Sequence, residues 1–187
     1  AQQAASRRVV RFQRLTDFLG MNSSPAISPD GKMTAFVAPA NGRRQIWIRL
    51  LAGGNPLQVT RGDVDHEQPR WAPDSSALIY YTAADRPGSP GTIWEISAFG
   101  GTPRPITLAL GGGDFSHDGR RIAVFQPLNG RVELATISRD GSVTGYVRPA
   151  PAMTNCDCPR WSPDDRVIAY LAHDTSYFDQ HIIVVPS

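Results

Sequence analysis

The sequence predicts an all-β protein: a β-propeller built of four-stranded antiparallel blades, with four repeats in this chain. Three observations carry that expectation. A short signature recurs as Ile27-Ser28-Pro29-Asp30-Gly31, Trp71-Ala72-Pro73-Asp74-Ser75, Phe115-Ser116-His117-Asp118-Gly119 and Trp161-Ser162-Pro163-Asp164-Asp165, its aspartates 44, 44 and 46 residues apart. A period of that size marks a repeat architecture. Short β-branched or aromatic runs follow each copy, bounded by turn residues. Finally, 17 Gly and 16 Pro among 187 residues require frequent turns.

In chain order, residues 1–12 form an arginine-rich tail and 13–187 the repeats. Gln13-Arg14-Leu15-Thr16 reads as a strand with no blade before it. The blades span approximately 24–60, 67–107, 111–148 and 157–187. Strands follow the signatures at Met33–Val37, Ala77–Tyr81, Arg121–Phe125 and Arg166–Tyr170. Third strands are expected at Gln45–Arg49, Thr92–Ser97, Val132–Ile137 and His181–Val185. Fourth strands follow a Gly-marked turn at Leu57–Thr60, Arg104–Thr107 and Val143–Val147, and the last blade shows none.

One such sheet cannot bury both its faces. Stacking equivalent sheets around an axis removes both from water. The aromatic that opens the signature (Trp71, Phe115, Trp161) is expected between blades, with Ile27 the weaker version in the first. Each ring buried there contributes several kcal/mol gross, at about 25 cal/mol per Å². In the turn, Pro presets φ, Asp accepts backbone N–H groups, and Gly takes the positive φ. Ser75 and Asp165 stand at the Gly position, where positive φ costs more, and His117 replaces Pro in the third copy. The signature aspartates are read as structural.

Charge and composition exclude several classes. The net charge is +2, but Arg7, Arg8, Arg11 and Arg14 fall in the first 14 residues without an acid, leaving 15 basic against 17 acidic residues. The near-neutral body carries no nucleic-acid footprint. Two cysteines rule out a disulfide-dense scaffold. No apolar run approaches the ~18 residues of a spanning helix, so no membrane span is expected. Ala1-Gln2-Gln3 lacks an apolar h-region, so an intact signal peptide is not expected, and the start reads as a cleaved mature terminus or an arbitrary boundary.

Ser24 to Thr60, with its Ser-Pro-Asp-Gly turn, Ile46-Trp47 strand, Gly53-Gly54 and Leu-x-x-Thr ending, resembles the Pro-Asp, WD-repeat-like propeller repeat of TolB-like proteins. The resemblance covers 13–187. It implies a propeller of six to eight blades, a non-enzymatic periplasmic interaction platform in many members, and a substrate-gating domain ahead of a hydrolase in others. It also implies that 13–16 closes the ring by completing the last blade, which removes an exposed edge. A piece of a longer ring, two arcs joined in a homo-oligomer, and a closed four-bladed ring all fit the strand count.

The expected function is therefore a non-catalytic platform that binds another protein or a small ligand on its loop face, with no cofactor, standing alone or as the sensor portion of a larger protein. The alternative is a substrate-gating propeller domain of a peptidase- or lyase-type enzyme whose catalytic domain is absent from this chain. Loops 61–67, 84–91 and 173–180 share that face, and rigid scaffolds concentrate binding residues on loops. The candidate binding residues are Asp65, His66, Glu67, Asp85, Arg86, His173, Asp174 and Tyr177. Asp63, Asp65 and Glu67 are read first as a solvated loop, because a hard cation needs several converging oxygens. Tyr177 and Phe178 are candidate partner anchors or blade packing. Cys156 and Cys158 are read as two thiols, with a strained bridge the alternative. No Gly-x-Ser-x-Gly elbow is present, so no peptidase chemistry is expected from this chain.

Overall fold

The structure is a computed structural model that describes residues 12–86, 88–147, 155–173 and 180–187, and every regular element in them is a strand. The first sheet comprises β1 (Ser23–Ile27), β2 (Met33–Ala40), β3 (Arg43–Leu50) and β4 (Leu57–Gln58). The second comprises β5 (Glu67–Trp71), β6 (Ala77–Thr82), β7 (Gly91–Ser97) and β8 (Arg104–Ala109). The third comprises β9 (Asp114–Phe115), β10 (Arg121–Leu128), β11 (Arg131–Ser138) and β12 (Val143–Val147). The fourth comprises β13 (Asn155–Trp161), β14 (Val167–His173) and β15 (Gln180–Pro186). Each is an antiparallel meander in chain order, and the four are arranged as propeller blades. Neighbouring blades touch through their first strands, β1 with β5, β5 with β9 and β9 with β13, which puts those strands innermost.

Strands β2, β3, β10 and β11 run longer than the sequence reading allows. The reason is local: Asn41-Gly42 and Asn129-Gly130 both have positive φ at both residues, the two-residue turn that matches strand twist and lets pairing continue to the tip.

The strand period of two gives every sheet two faces, and three apolar cores fill three seams. Ala35, Val37, Ile46 and Ile48 meet Trp71, Leu78, Tyr80 and Ile96 between blades one and two. Ile79, Tyr81 and Ile93 meet Phe115, Ile122, Val124 and Ile137 between two and three. Phe125 and Leu134 meet Ile168 and Tyr170 between three and four. The signature aromatics lie where expected: Trp71 is 7% exposed, Phe115 is buried, and Trp161 packs against the third core, whereas Ile27 stays 67% exposed.

Hydrogen bonds explain the signature. Ser28, Ser116 and Ser162 each donate through Oγ to the aspartate two residues on, at 2.6, 2.7 and 2.6 Å, and accept a backbone N–H five residues on. Where Ala72 replaces that serine, Ser76 donates to Asp74 instead, at 2.7 Å. The two residues at the Gly position do hold positive φ, 61° at Ser75 and 56° at Asp165. Each side chain reaches the preceding blade. Ser75 Oγ accepts Asp30 N, and Asp165 accepts His117 N at 2.5 Å and Asp118 N at 3.0 Å. The strained positions therefore clamp neighbouring blades.

Closure through 13–16 is not what the structure shows. Gln13–Thr16 is not in a strand, and among the described residues the fourth sheet has three strands. The segment stays on the blade next to it in sequence: Arg49 donates to Leu15 O at 2.6 Å, and Phe18 packs on Trp47 and Phe36 with centroids at 4.5 and 5.8 Å. Covering those rings holds it on the first sheet. No core cluster joins the fourth sheet to the first among the described residues. On β15, Ile182 and Val184 remain 79% and 59% exposed.

Candidate functional site

The described residues expected to bind are Asp65, His66, Glu67, Asp85, Arg86 and His173. Asp65 and Glu67 both turn to Arg44 at the start of β3. Asp65 accepts Arg44 N at 2.9 Å and its guanidinium at 2.9 and 3.1 Å, and Glu67 completes the ion pair. The backbone and side chain of Arg44 hold the Asp65 carboxyl below its ordinary range. His66 is buried with its ring edge on Tyr80 at 5.1 Å, and burial pushes its pKa below the usual histidine value. These three residues thus join blade one to blade two. Asp85 and Arg86 lie exposed in the loop between β6 and β7, apart from that cluster. His173 ends β14, half-buried. Asp174, Tyr177 and Phe178 lie outside the described residues, and the side chains of Cys156 and Cys158 are likewise not described.

The end where the four signature turns meet carries a cleft of about 310 Å³ on the axis. Its walls are the signature residues themselves: the rings of Trp71, Phe115 and Trp161 and the prolines Pro29, Pro73 and Pro163, with His117 in the fourth proline place. Reading the signature as turn chemistry alone missed this cleft. The signal was present, because residues at one repeat position must converge at one end of an axis.

The serine hydroxyls of the cleft are engaged, whereas the buried Trp161 Nε1 has no hydrogen-bond partner among the described residues. Ser116 and Ser162 spend their hydroxyls on Asp118 and Asp164 within their own turns. The backbone N–H of Arg120 and the Ser116 hydroxyl hold Asp118 below the ordinary carboxylate range, and the Ser162 hydroxyl does the same for Asp164. These carboxylates stay ionised and committed to the turns. Carboxylates held below their ordinary range are weak bases toward the hydroxyls that donate to them. The arrangement offers an apolar seat, rimmed by ionised turns, for a side chain or small molecule.

Deeper on the axis, Asp114 of β9 accepts Trp161 N at 3.1 Å, and burial raises its pKa to about 6 against the pull of that N–H and of Arg70. Groups of three or more potential metal ligands do not occur among the described residues. Among the described residues no helix is long and apolar enough to cross a membrane.

Comparison with known proteins agrees with this architecture. The family model described as the TolB β-propeller domain matches residues 5–185. The crystal structure of TolB from Acinetobacter baumannii superposes with a TM-score of 0.70 at 25% identity, over 91% of this chain and 42% of that one. A protein of Agrobacterium fabrum, Atu1656, is 25% identical over 162 residues, 84% of this chain and 53% of its own length. A Bacillus subtilis protein named as an uncharacterised peptidase, YuxL, is 29% identical over 91 residues, 46% of this chain and 14% of its own length. The chain thus spans about half of the Agrobacterium protein and a small part of the Bacillus one.

Proposed function

Since the chain belongs to the TolB β-propeller domain family, we propose that it is a non-catalytic platform that binds another protein or a small ligand at the axial end of its blades. The observation that carries this reading is the cleft walled by Trp71, Phe115, Trp161 and three prolines, whose serine hydroxyls are committed to their own turns. Apolar and aromatic walls suit an anchor side chain, since aromatic pockets dominate binding hot spots. On the loop end, the Arg44 ion pairs leave Asp85 and Arg86 as the exposed candidates.

A photo-crosslinking residue at His117 tests the reading in the intact protein, with the same residue at Arg86 as the opposite-end control. The expected adduct is a partner protein or ligand at 117. Adducts confined to 86 would move the site to the loops. The rival reading, a substrate-gating blade array of a peptidase or lyase, draws on the match to YuxL. It would be upheld if the intact gene product cleaved a peptide and replacing His117 changed only its substrate preference.

A homo-oligomer that completes the ring is the finer form of the proposal. It is supported by the apolar outer face of the fourth blade, where Val167, Ala169 and Leu171 of β14 stand opposite Pro186, Val184 and Ile182 of β15. Light scattering would return twice the chain mass, and a monomer would remove this form. The same reading assigns the protein to the periplasm, which fractionation of cells carrying the intact gene tests.

A further inference from the structure

A second cavity, of about 270 Å³, opens at the outer edge of the seam between blades one and two. Its floor is Val59, Tyr80 and Ile96, all members of the first interblade core. Burial raises the Tyr80 phenol above its ordinary pKa, so it keeps its proton. The walls are Thr60, whose hydroxyl is spent on Ile46 N and Gln45, and the turn between β7 and β8 at Gly101-Thr102. Arg61 stands exposed at the mouth as the one charged residue of the lining. It forms no ion pair among the described residues, whereas Arg44 holds Asp65 and Glu67, and Arg104 holds Glu95. Asp63, two residues along the chain, is exposed and does not line the cavity.

The repeat provides its own comparison, because the next seam has the same parts but fills them differently. There Arg139 occupies the place of Ala98; it pairs with Glu95 of the preceding blade and lies over the Phe115 ring at 5.4 Å. The hairpin turn of the third blade closes down onto β8, so that a methyl built on Gly141 would run into the Ile106 carbonyl oxygen. At the first seam the equivalent methyl on Gly100 would clear the Val59 carbonyl by 4.0 Å. Position 61 becomes Leu108 at the second seam, and position 80 becomes Val124. The first seam thus departs from the second in three ways together: its turn stands off Val59, its floor carries the Tyr80 phenol where the second has Val124, and its entrance carries a guanidinium with no ion pair among the described residues.

We propose that this crevice binds a ligand whose apolar body fills the floor and whose terminal carboxylate pairs with Arg61. A guanidinium recognises a carboxylate through paired N–H donors, and an apolar floor beneath it selects acids with a hydrophobic end over small polar ones. Free hydrophobic acids and the C-terminal residue of a peptide share this chemistry. The site is separate from the axial cleft and stands or falls independently of it.

Amide-resolved NMR of the whole chain tests the proposal, with N-acetyl-leucine, N-acetyl-leucinamide and acetyl-Ala-Ala-Leu as probes. The acids are expected to shift Gly101 and Thr102 saturably at about millimolar concentration, the range for ligands of few heavy atoms. The amide should bind roughly tenfold more weakly, and Arg61→Gln should lose a similar factor for the acids. Thr102→Trp, at an exposed turn position, should block the mouth without touching the core. Saturation by N-acetyl-leucine alone would point to free acids, and by the tripeptide alone to a peptide terminus, both upholding the site. Equal binding of acid and amide, unchanged affinity in Arg61→Gln, or no saturable shift at Gly101 and Thr102 would overturn it.

Discussion

Replacing Asp114 by Asn should make the protein more stable at neutral pH, and the gain should vanish on acidification. The Asp114 carboxyl sits on the axis, where burial raises its pKa to about 6 from an ordinary 3.8. Its ionised form is therefore disfavoured in the folded state relative to the unfolded chain. The folded protein holds this proton more tightly, so stability falls as pH rises from about 4 through about 6 and the full cost is present above that. Two pH units at about 1.4 kcal/mol each set an upper bound of about 3 kcal/mol, and partial access of water lowers the expected gain to about 1–2 kcal/mol. Asn keeps a carbonyl oxygen for the Trp161 N–H now accepted at 3.1 Å. Urea unfolding of both proteins at pH 7.5 and near pH 4 measures the difference directly. Only the difference is informative, since His66, its pKa pushed down by burial, destabilises the fold as pH drops through the ordinary histidine range. A variant that is less stable by the same amount at both pH values would show that Asp114 acts through its hydrogen bond and not its charge.

Asp165→Gly suits the positive φ of 56° yet removes the acceptor for His117 N and Asp118 N, so a net loss of about 0.5–1.5 kcal/mol is expected in thermal unfolding. A rise in melting temperature would mean that the interblade clamp adds nothing. Glu95→Gln breaks the pair with Arg104 inside the second blade and the pair with Arg139 across the second seam, and should cost about 1–3 kcal/mol, shrinking in high salt because the site is partly exposed. A loss indifferent to salt would assign the effect to packing. Phe18→Ala should free residues 12–22 from the first blade at about 1 kcal/mol, seen as faster hydrogen exchange along β2 and β3. Unchanged exchange there would show that Phe18 does not hold the segment.

The blade architecture was legible because its causes are local. Alternating apolar strands, the aspartate turn with its serine and the aromatic ahead of it each act within a few residues. The sequence repeats the strands and the aspartate four times, and the serine and the aromatic three times each. Trp71 and Phe115 entered their seams as that pattern requires. At Asn41-Gly42 and Asn129-Gly130 the strands extend past the sequence expectation, because an Asn-Gly turn carries the pairing to the tip.

What the sequence by itself determined is the period, the strand order and which face of each strand is apolar, since all three follow from residue spacing. Tertiary structure alone decided where the charged loop residues would spend their charge. Arg44 is 21 residues from Asp65, and only the approach of two blades brings a guanidinium to that carboxylate. It also decided that 13–18 lies on the first blade instead of pairing with the last, because Phe18 finds two aromatic rings there. The two cavities have the same origin: each is bounded by residues from different blades, whose separations are set by how the sheets stack and not by any spacing along the chain.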